Sequence, residues 1–185
     1  MEAFLVSTGI VALAEMGDKT QLLSLVLAAR FRKPWPIVLG IFVATLFNHA
    51  LAGAIGSWVT TALGPDMLRW VLGGSFIAMA IWMLIPDKLD EGDGDAAPKY
   101  GVFVTTLVAF FLAEMGDKTQ VATVMLAARF DAWASVVAGT TLGMMLANAP
   151  VVWFGERITR RVPIRLVHGI GAAIFLVLGI VALVS

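Results

Sequence analysis

A chain of 185 residues with 59% hydrophobic side chains, 14% charged ones and a mean hydropathy of +0.90 is too apolar for a soluble domain and typical of a polytopic membrane protein. Its formal net charge of zero gives nucleic acid no electrostatic footprint, and the lack of cysteine excludes disulfides, thiolate metal sites and cysteine nucleophiles. With two histidines, a His-rich zinc site is not expected either.

No basic segment or small-residue cleavage site precedes the first apolar run, so a cleaved signal is not expected and the first helix is retained. Six spans follow, each near the ~20 residues that cross a bilayer. They run over about Ala3–Arg30, Pro36–Thr60, Met67–Pro86, Tyr100–Arg129, Trp133–Gly155 and Arg165–Val184. The expected fold is therefore all-α, with six transmembrane helices. Trp35, Trp58, Trp70, Trp82, Tyr100, Trp133 and Trp153 fall near span ends, where an aromatic belt belongs. Glycine and alanine pairs such as Gly40/Ala44 and Gly169/Ala173 predict close helix packing.

The first and fourth spans are longer than a bilayer needs, and each carries a polar motif in its middle. Leu13-Ala14-Glu15-Met16-Gly17-Asp18-Lys19-Thr20-Gln21 returns unchanged as Leu112 to Gln120, 99 residues later, and 14 of the 19 positions from Leu13 to Phe31 are identical in the second copy. Six charges (Glu15, Asp18, Lys19, Glu114, Asp117 and Lys118) would cost on the order of 15–20 kcal/mol inside a bilayer without partners or water. Packing does not require that cost twice, so the motif is the candidate functional site. Gly17 and Gly116 permit a kink, an unwound turn or close backbone approach, and both motif helices are expected to be broken or tilted.

Three spans per half is an odd number, so the halves cross in opposite directions. The expected organisation is an inverted repeat, residues 1–86 and 100–185, joined by an acidic cytoplasmic linker at 87–99. Nine Lys and Arg residues (Arg30, Arg32, Lys33, Lys88, Lys99, Arg157, Arg160, Arg161, Arg165) fall on one side and only Arg69 and Arg129 on the other. The basic side is then cytoplasmic and both termini lie outside. At the same 99-residue offset Gly40 matches Gly139, His49 matches Asn148 and Gly56 matches Gly155.

On a continuous helix Glu15, Asp18 and Gln21 share one face, as do Glu114, Asp117 and Gln120. If the repeats face each other, four carboxylates converge, with Thr20, Thr119 and the glutamines adding oxygen. An all-oxygen negative pocket suits Ca²⁺, Mn²⁺ or Mg²⁺, the last being disfavoured by its reluctance to shed water. Crowded, dehydrated carboxylates also take up protons, which a bound cation expels. The expectation is antiport of a divalent cation against protons. Lys19 and Lys118 either hold the empty carboxylates or snorkel into a vestibule, and an ammonium has no lone pair with which to ligate. Asn48 and Asn148, in the second span of each half, line the pathway or bond between helices. His49 either relays protons or is satisfied by a neighbour, His168 is structural, Met16 and Met115 either pack or offer soft sulfur to Mn²⁺, and Met144 and Met145 face lipid or pack.

The two Glu-Met-Gly-Asp-Lys-Thr hexapeptides, Glu15–Thr20 and Glu114–Thr119, resemble the twin E-x-G-D-(K/R)-(T/S) signatures of the second calcium/cation antiporter family, the manganese/calcium–proton exchangers. The resemblance covers the whole chain and every signature position. It implies export of Mn²⁺ or Ca²⁺ coupled to proton entry, with the motif acids as the cation site, no resident cofactor and no enzymatic activity. It also implies the bacterial inner membrane. Three rival expectations remain: an exporter of another cationic solute such as a basic amino acid, an intramembrane aspartyl protease, and a passive divalent channel. The protease lacks its expected G-x-G-D, because Met16 and Met115 follow glutamates.

Overall fold

The computed structural model describes residues 1–85, 101–155 and 163–184, and every regular element among them is an α-helix. There are eight: α1 (Glu2–Glu15), α2 (Lys19–Phe31), α3 (Pro34–Ala62), α4 (Pro65–Trp82), α5 (Gly101–Ala113), α6 (Lys118–Phe130), α7 (Trp133–Phe154) and α8 (Ile164–Val184). The expected linker at 87–99 lies outside the described residues. The first and fourth expected spans are each two helices, of 14 and 13 residues in one case and 13 and 13 in the other, broken at the polar motif. Among the described helices α3, α7 and Arg165–Val184 of α8 are single helices long and apolar enough to cross a membrane. The 18-residue α4 carries Asp66 and Arg69 in its first turns and falls short of that standard.

Helix starts and stops follow local chemistry. Proline at the beginning of α3 and of α4 removes an N–H that would have no helical partner. At the ends of α2 and α6, Arg32 and Asp131 turn left-handed (φ 51° and 46°), and their N–H groups bond the carbonyls of Ala28 and Ala127. These two residues are 99 apart, so the sequence repeat is also a repeat of backbone conformation.

The halves are interleaved. α1 packs along α7, α5 along α3, α2 against α7 and α6 against α3. Glycine brings these helices to backbone contact. A Cβ on Gly139 would stand 2.5 Å from the Phe4 carbonyl and 3.0 Å from the Ser7 side chain; one on Gly40 would stand 2.9 Å from the Phe103 carbonyl and 2.8 Å from Thr106. The start of α3 meets the end of α7 where Trp35 and Trp153 stack edge to face at 5.5 Å, and Gly53 near the other end of α3 abuts Trp133 and Val137. The two long helices are therefore antiparallel. α4 and α8 are antiparallel too, with Gly73 against Gly179 and Leu183, Met83 against Gly171, and Phe76 against Phe175 at 6.2 Å.

Polarity is distributed inside out. Along α3, Phe47, Leu51, Ile55 and Trp58 form an exposed apolar stripe, while Thr45, Asn48 and His49 are buried. Such an arrangement is stable only with hydrocarbon outside.

The close approach of α1 and α7 yields a stability test. Gly139→Ala should destabilise the protein by about 1–3 kcal/mol, because its methyl group meets backbone. Gly9→Ala, which meets nothing within 4 Å, should be neutral or stabilising. Thermal unfolding in detergent followed by circular dichroism checks the contrast.

Candidate metal centre

Each motif is a helix break built twice from the same parts. α1 ends at Glu15, Gly17 turns left-handed at φ 84°, and Asp18 opens α2 in an extended conformation. In the second copy Gly116 has φ 74° and Asp117 takes the same extended position before α6. The Asp18 N–H bonds the Glu15 carbonyl at 3.1 Å, and the Asp117 N–H bonds the Glu114 carbonyl at 3.2 Å. The backbone donor exposed by the break is recovered by glutamine: Gly17 N–H donates to Gln21 Oε1 at 3.0 Å and Gly116 N–H to Gln120 Oε1 at 2.7 Å. At the first break His168 Nε2 donates to the Met16 carbonyl at 2.8 Å.

This geometry corrects the sequence expectation of a shared helical face. Glu15, Asp18 and Gln21 stand on the end of one helix, the start of the next and its first turn. Gln21 also donates from Nε2 to the Ala147 carbonyl at 3.1 Å, so its amide braces the break against α7.

The carboxylates nevertheless converge. One oxygen each of Glu15, Glu114 and Asp117 lies within 4.8 Å of the other two, and all three residues are buried. Asp18 is buried as well. Thr20 Oγ1 donates to Glu15 Oε2 at 2.5 Å and Thr119 Oγ1 to Glu114 Oε2 at 3.0 Å. In both glutamates the other oxygen, Oε1, is buried with no hydrogen-bond partner among the described residues. A divalent cation fits this arrangement: three carboxylates from two halves with oxygens within 4.8 Å of one another, and threonine hydroxyls bonded to both glutamates.

The remaining candidates divide. Asn148 Nδ2 is 3.5 Å from Glu15 Oε2, and its Oδ1 accepts from Ser24 at 3.0 Å, which joins α7 to both arms of the first motif. Asn48 Nδ2 bonds the Phe111 carbonyl at 3.1 Å, a link between helices. Lys19 Nζ crosses to Asp117 Oδ1 at 3.5 Å, whereas buried Lys118 donates to the Ile85 carbonyl just beyond α4 at 2.7 Å. Met144 is buried with its sulfur 2.9 Å from Asn148 Nδ2; Met115 is exposed. Ser24 and the His168 bond to Met16 were not anticipated. A serine in an apolar run and a histidine near a span end carry no local signal of what they meet.

A membrane-embedded helical protein that gathers carboxylates from two repeated halves around one small space belongs to the class of cation-handling membrane proteins. The family profile described as divalent cation/proton antiporter GDT1 matches residues 3–91 and 102–185, and the chain belongs to that family of antiporters. It is 52% identical over 181 residues to a Vibrio cholerae protein named "Putative manganese exporter", covering 97% of this chain and 90% of the relative. It is 27% identical to the GDT1-like protein sll0615 of Synechocystis, over 98% of this chain and 97% of the relative, and 23% identical to GDT1-like protein 3 of Arabidopsis thaliana, over 95% and 68%. No solved structure matches. The chain is thus an integral membrane transporter rather than an enzyme.

The left-handed glycines generate the site's own test. A methyl group on Gly116 has open space, so Gly116→Ala isolates the backbone penalty, about 1–2 kcal/mol. Gly116→Asn, whose side chain tolerates that conformation, should lose less. Unfolding midpoints of the two variants in detergent, compared with the unaltered protein, decide it.

Proposed function

We propose that this protein exports divalent cations, Mn²⁺ first and Ca²⁺ second, in exchange for protons, through one site shared by its two halves. The observation that carries the reading is the meeting of Glu15, Glu114 and Asp117 within 4.8 Å, with two glutamate oxygens left without a hydrogen-bond partner among the described residues. Asp18 approaches from the first half, and Thr20, Thr119, Gln21, Gln120, Asn48 and Asn148 support the acids or line the way to them. The same crowded oxygens hold protons when the cation is away, so one set of groups serves both ions in turn. Lys19 is a tethered counter-ion that releases Asp117 as the cation arrives. Lys118 is held at the end of α4 in the meantime.

The antiparallel courses of α3 and α7, and of α4 and α8, support six spans as two inverted repeats, residues 1–86 and 100–185. In that plan α1 with α2, and α5 with α6, each make one broken span. The nine-to-two distribution of basic residues supports termini outside, and the Vibrio relative supports a bacterial inner membrane. A basic amino acid is a poorer cargo, since an organic cation does not fill the space between oxygens 4.8 Å apart.

Purified protein in liposomes with a pH-sensitive dye inside tests this. Mn²⁺ added outside should draw protons out and raise the internal pH, and Glu15→Gln or Glu114→Gln should abolish that movement while leaving the unfolding midpoint near that of the unaltered protein. Full activity in either variant, or cation flux indifferent to an imposed pH gradient, overturns the reading.

A further inference from the structure

The first turns of α4 and the last turns of α6 and α8 enclose a cavity of about 260 Å³ whose lining contains no residue of the carboxylate cluster. Leu72, Ala128 and Ala182 give it a buried apolar wall. Its polar lining is Arg69 of α4, Arg129 of α6 and exposed Asp66. The sequence sets these two arginines apart from nine other Lys and Arg residues, and the fold brings them together.

Helix chemistry accounts for one of the pair and not the other. Arg129 is in the last turn of α6, where the negative end of the helix dipole favours a cation. Arg69 is near the positive end of α4, where it does not. Among the described residues neither arginine forms an ion pair, even though Asp66 lines the same cavity. Arg69 lies over the Trp70 ring, 5.7 Å from its centroid, and its Nε is buried with no hydrogen-bond partner among the described residues. Two like charges and an unpaired donor brought to one space are stabilised by an anion placed between them. The cavity also lies at the level of the aromatic belt. Thr60, near the end of α3, donates to the Ala128 carbonyl at 3.2 Å, which fixes the end of α3 beside the end of α6. Trp58 and Trp70, exposed at 67% and 62%, are thus close to this end of the bundle, and Val71 beside Leu72 faces outward.

We propose that this cavity binds the phosphodiester headgroup of a membrane phospholipid, with Arg69 and Arg129 on the phosphate oxygens and Asp66 on the headgroup's terminal hydrogen-bond donor. The planar fork of a guanidinium matches phosphate oxygens in pairs, and basic pockets between membrane helices suit lipid phosphates. A free phosphate would answer the same charges, but an apolar wall among exposed tryptophans suits a ligand held by its acyl chains. The headgroup would tie the start of α4 to the end of α6, the helix that Asp117 opens. Lipid composition would then act on the second broken span, whatever the cargo.

Purified full-length protein in lipid-free detergent tests this. Phosphatidylglycerol added to the micelles should raise the unfolding midpoint by about 5 °C, whereas diacylglycerol with the same chains, or inorganic phosphate, should not. Arg69→Gln and Arg129→Gln should each raise the lipid concentration needed for that shift about tenfold. Lys33→Gln, at an exposed lysine outside the cavity lining, should leave it unchanged. Phosphatidylglycerol carrying a photoreactive headgroup, cross-linked to the unaltered protein and mapped by mass spectrometry, should label residues 65–72 and 128–129. That labelling answers the question even if the arginine variants fail to fold. A full shift with inorganic phosphate alone overturns the lipid assignment in favour of a free anion. A full shift with diacylglycerol, an undiminished shift in both arginine variants, or labelling confined to other segments overturns the site.

Discussion

Everything at the centre of this protein depends on breaking a helix where no water can repair it. A carboxylate projecting from an unbroken helix in hydrocarbon meets apolar neighbours; at a break it meets loose backbone and the start of a new helix. Here Gly17 and Gly116 supply the left-handed turn, and Gln21 and Gln120 recover its N–H groups. The aspartates sit at the N-terminal ends of α2 and α6, where the helix dipole favours negative charge. The glutamates sit at or just past the C-terminal ends of α1 and α5, where it does not, and each is compensated by a threonine hydroxyl five residues on. The order of residues in the hexapeptide is therefore mechanical. Glutamate precedes the turn, glycine makes it, aspartate begins the next helix, and threonine reaches back.

The second constraint is the exchange of helices between halves. Because α1 lies on α7 and α5 on α3, neither motif is closed by its own half. Gln21 is anchored to Ala147, Ser24 and Glu15 to Asn148, and Asn48 to Phe111. A movement of one half relative to the other must act on both breaks together. Small residues at the crossings, Gly40 and Gly139 above all, bring the helices close enough for these bonds to form.

Much of this was legible in the sequence. Two long apolar runs, each with an identical acidic motif and a central glycine, announced broken helices and a buried site. The face-sharing argument for Glu15, Asp18 and Gln21 failed because periodicity describes a continuous helix and says nothing across a left-handed turn. The convergence it aimed at came instead from tertiary packing, which no local spacing encodes. The contacts of Lys19 with Asp117 and of Lys118 with the Ile85 carbonyl were out of reach in principle, since they cross between elements and no local spacing encodes them. The 99-residue offset did match His49 with Asn148, but the burial of its ring without a hydrogen-bond partner among the described residues is a property of packing.

What the protein leaves unsatisfied is as informative as what it satisfies. The threonines, glutamines and Asn148 account for the exposed turn N–H groups and one oxygen of each glutamate, and they stop there. Glu15 Oε1 and Glu114 Oε1 remain buried without a hydrogen bond from the described residues. A polypeptide has ample donors with which to complete such a site, and completing it would stabilise the fold. An incomplete shell makes the stability of the centre depend on whatever occupies it, by the same mass action that links any ligand to folding. A carboxylate pair that the protein finished itself would be a strut. In the function we propose, one that requires a proton or a cation is a binding site whose two occupants exclude each other, and exclusion at a single site is the physical basis of exchange.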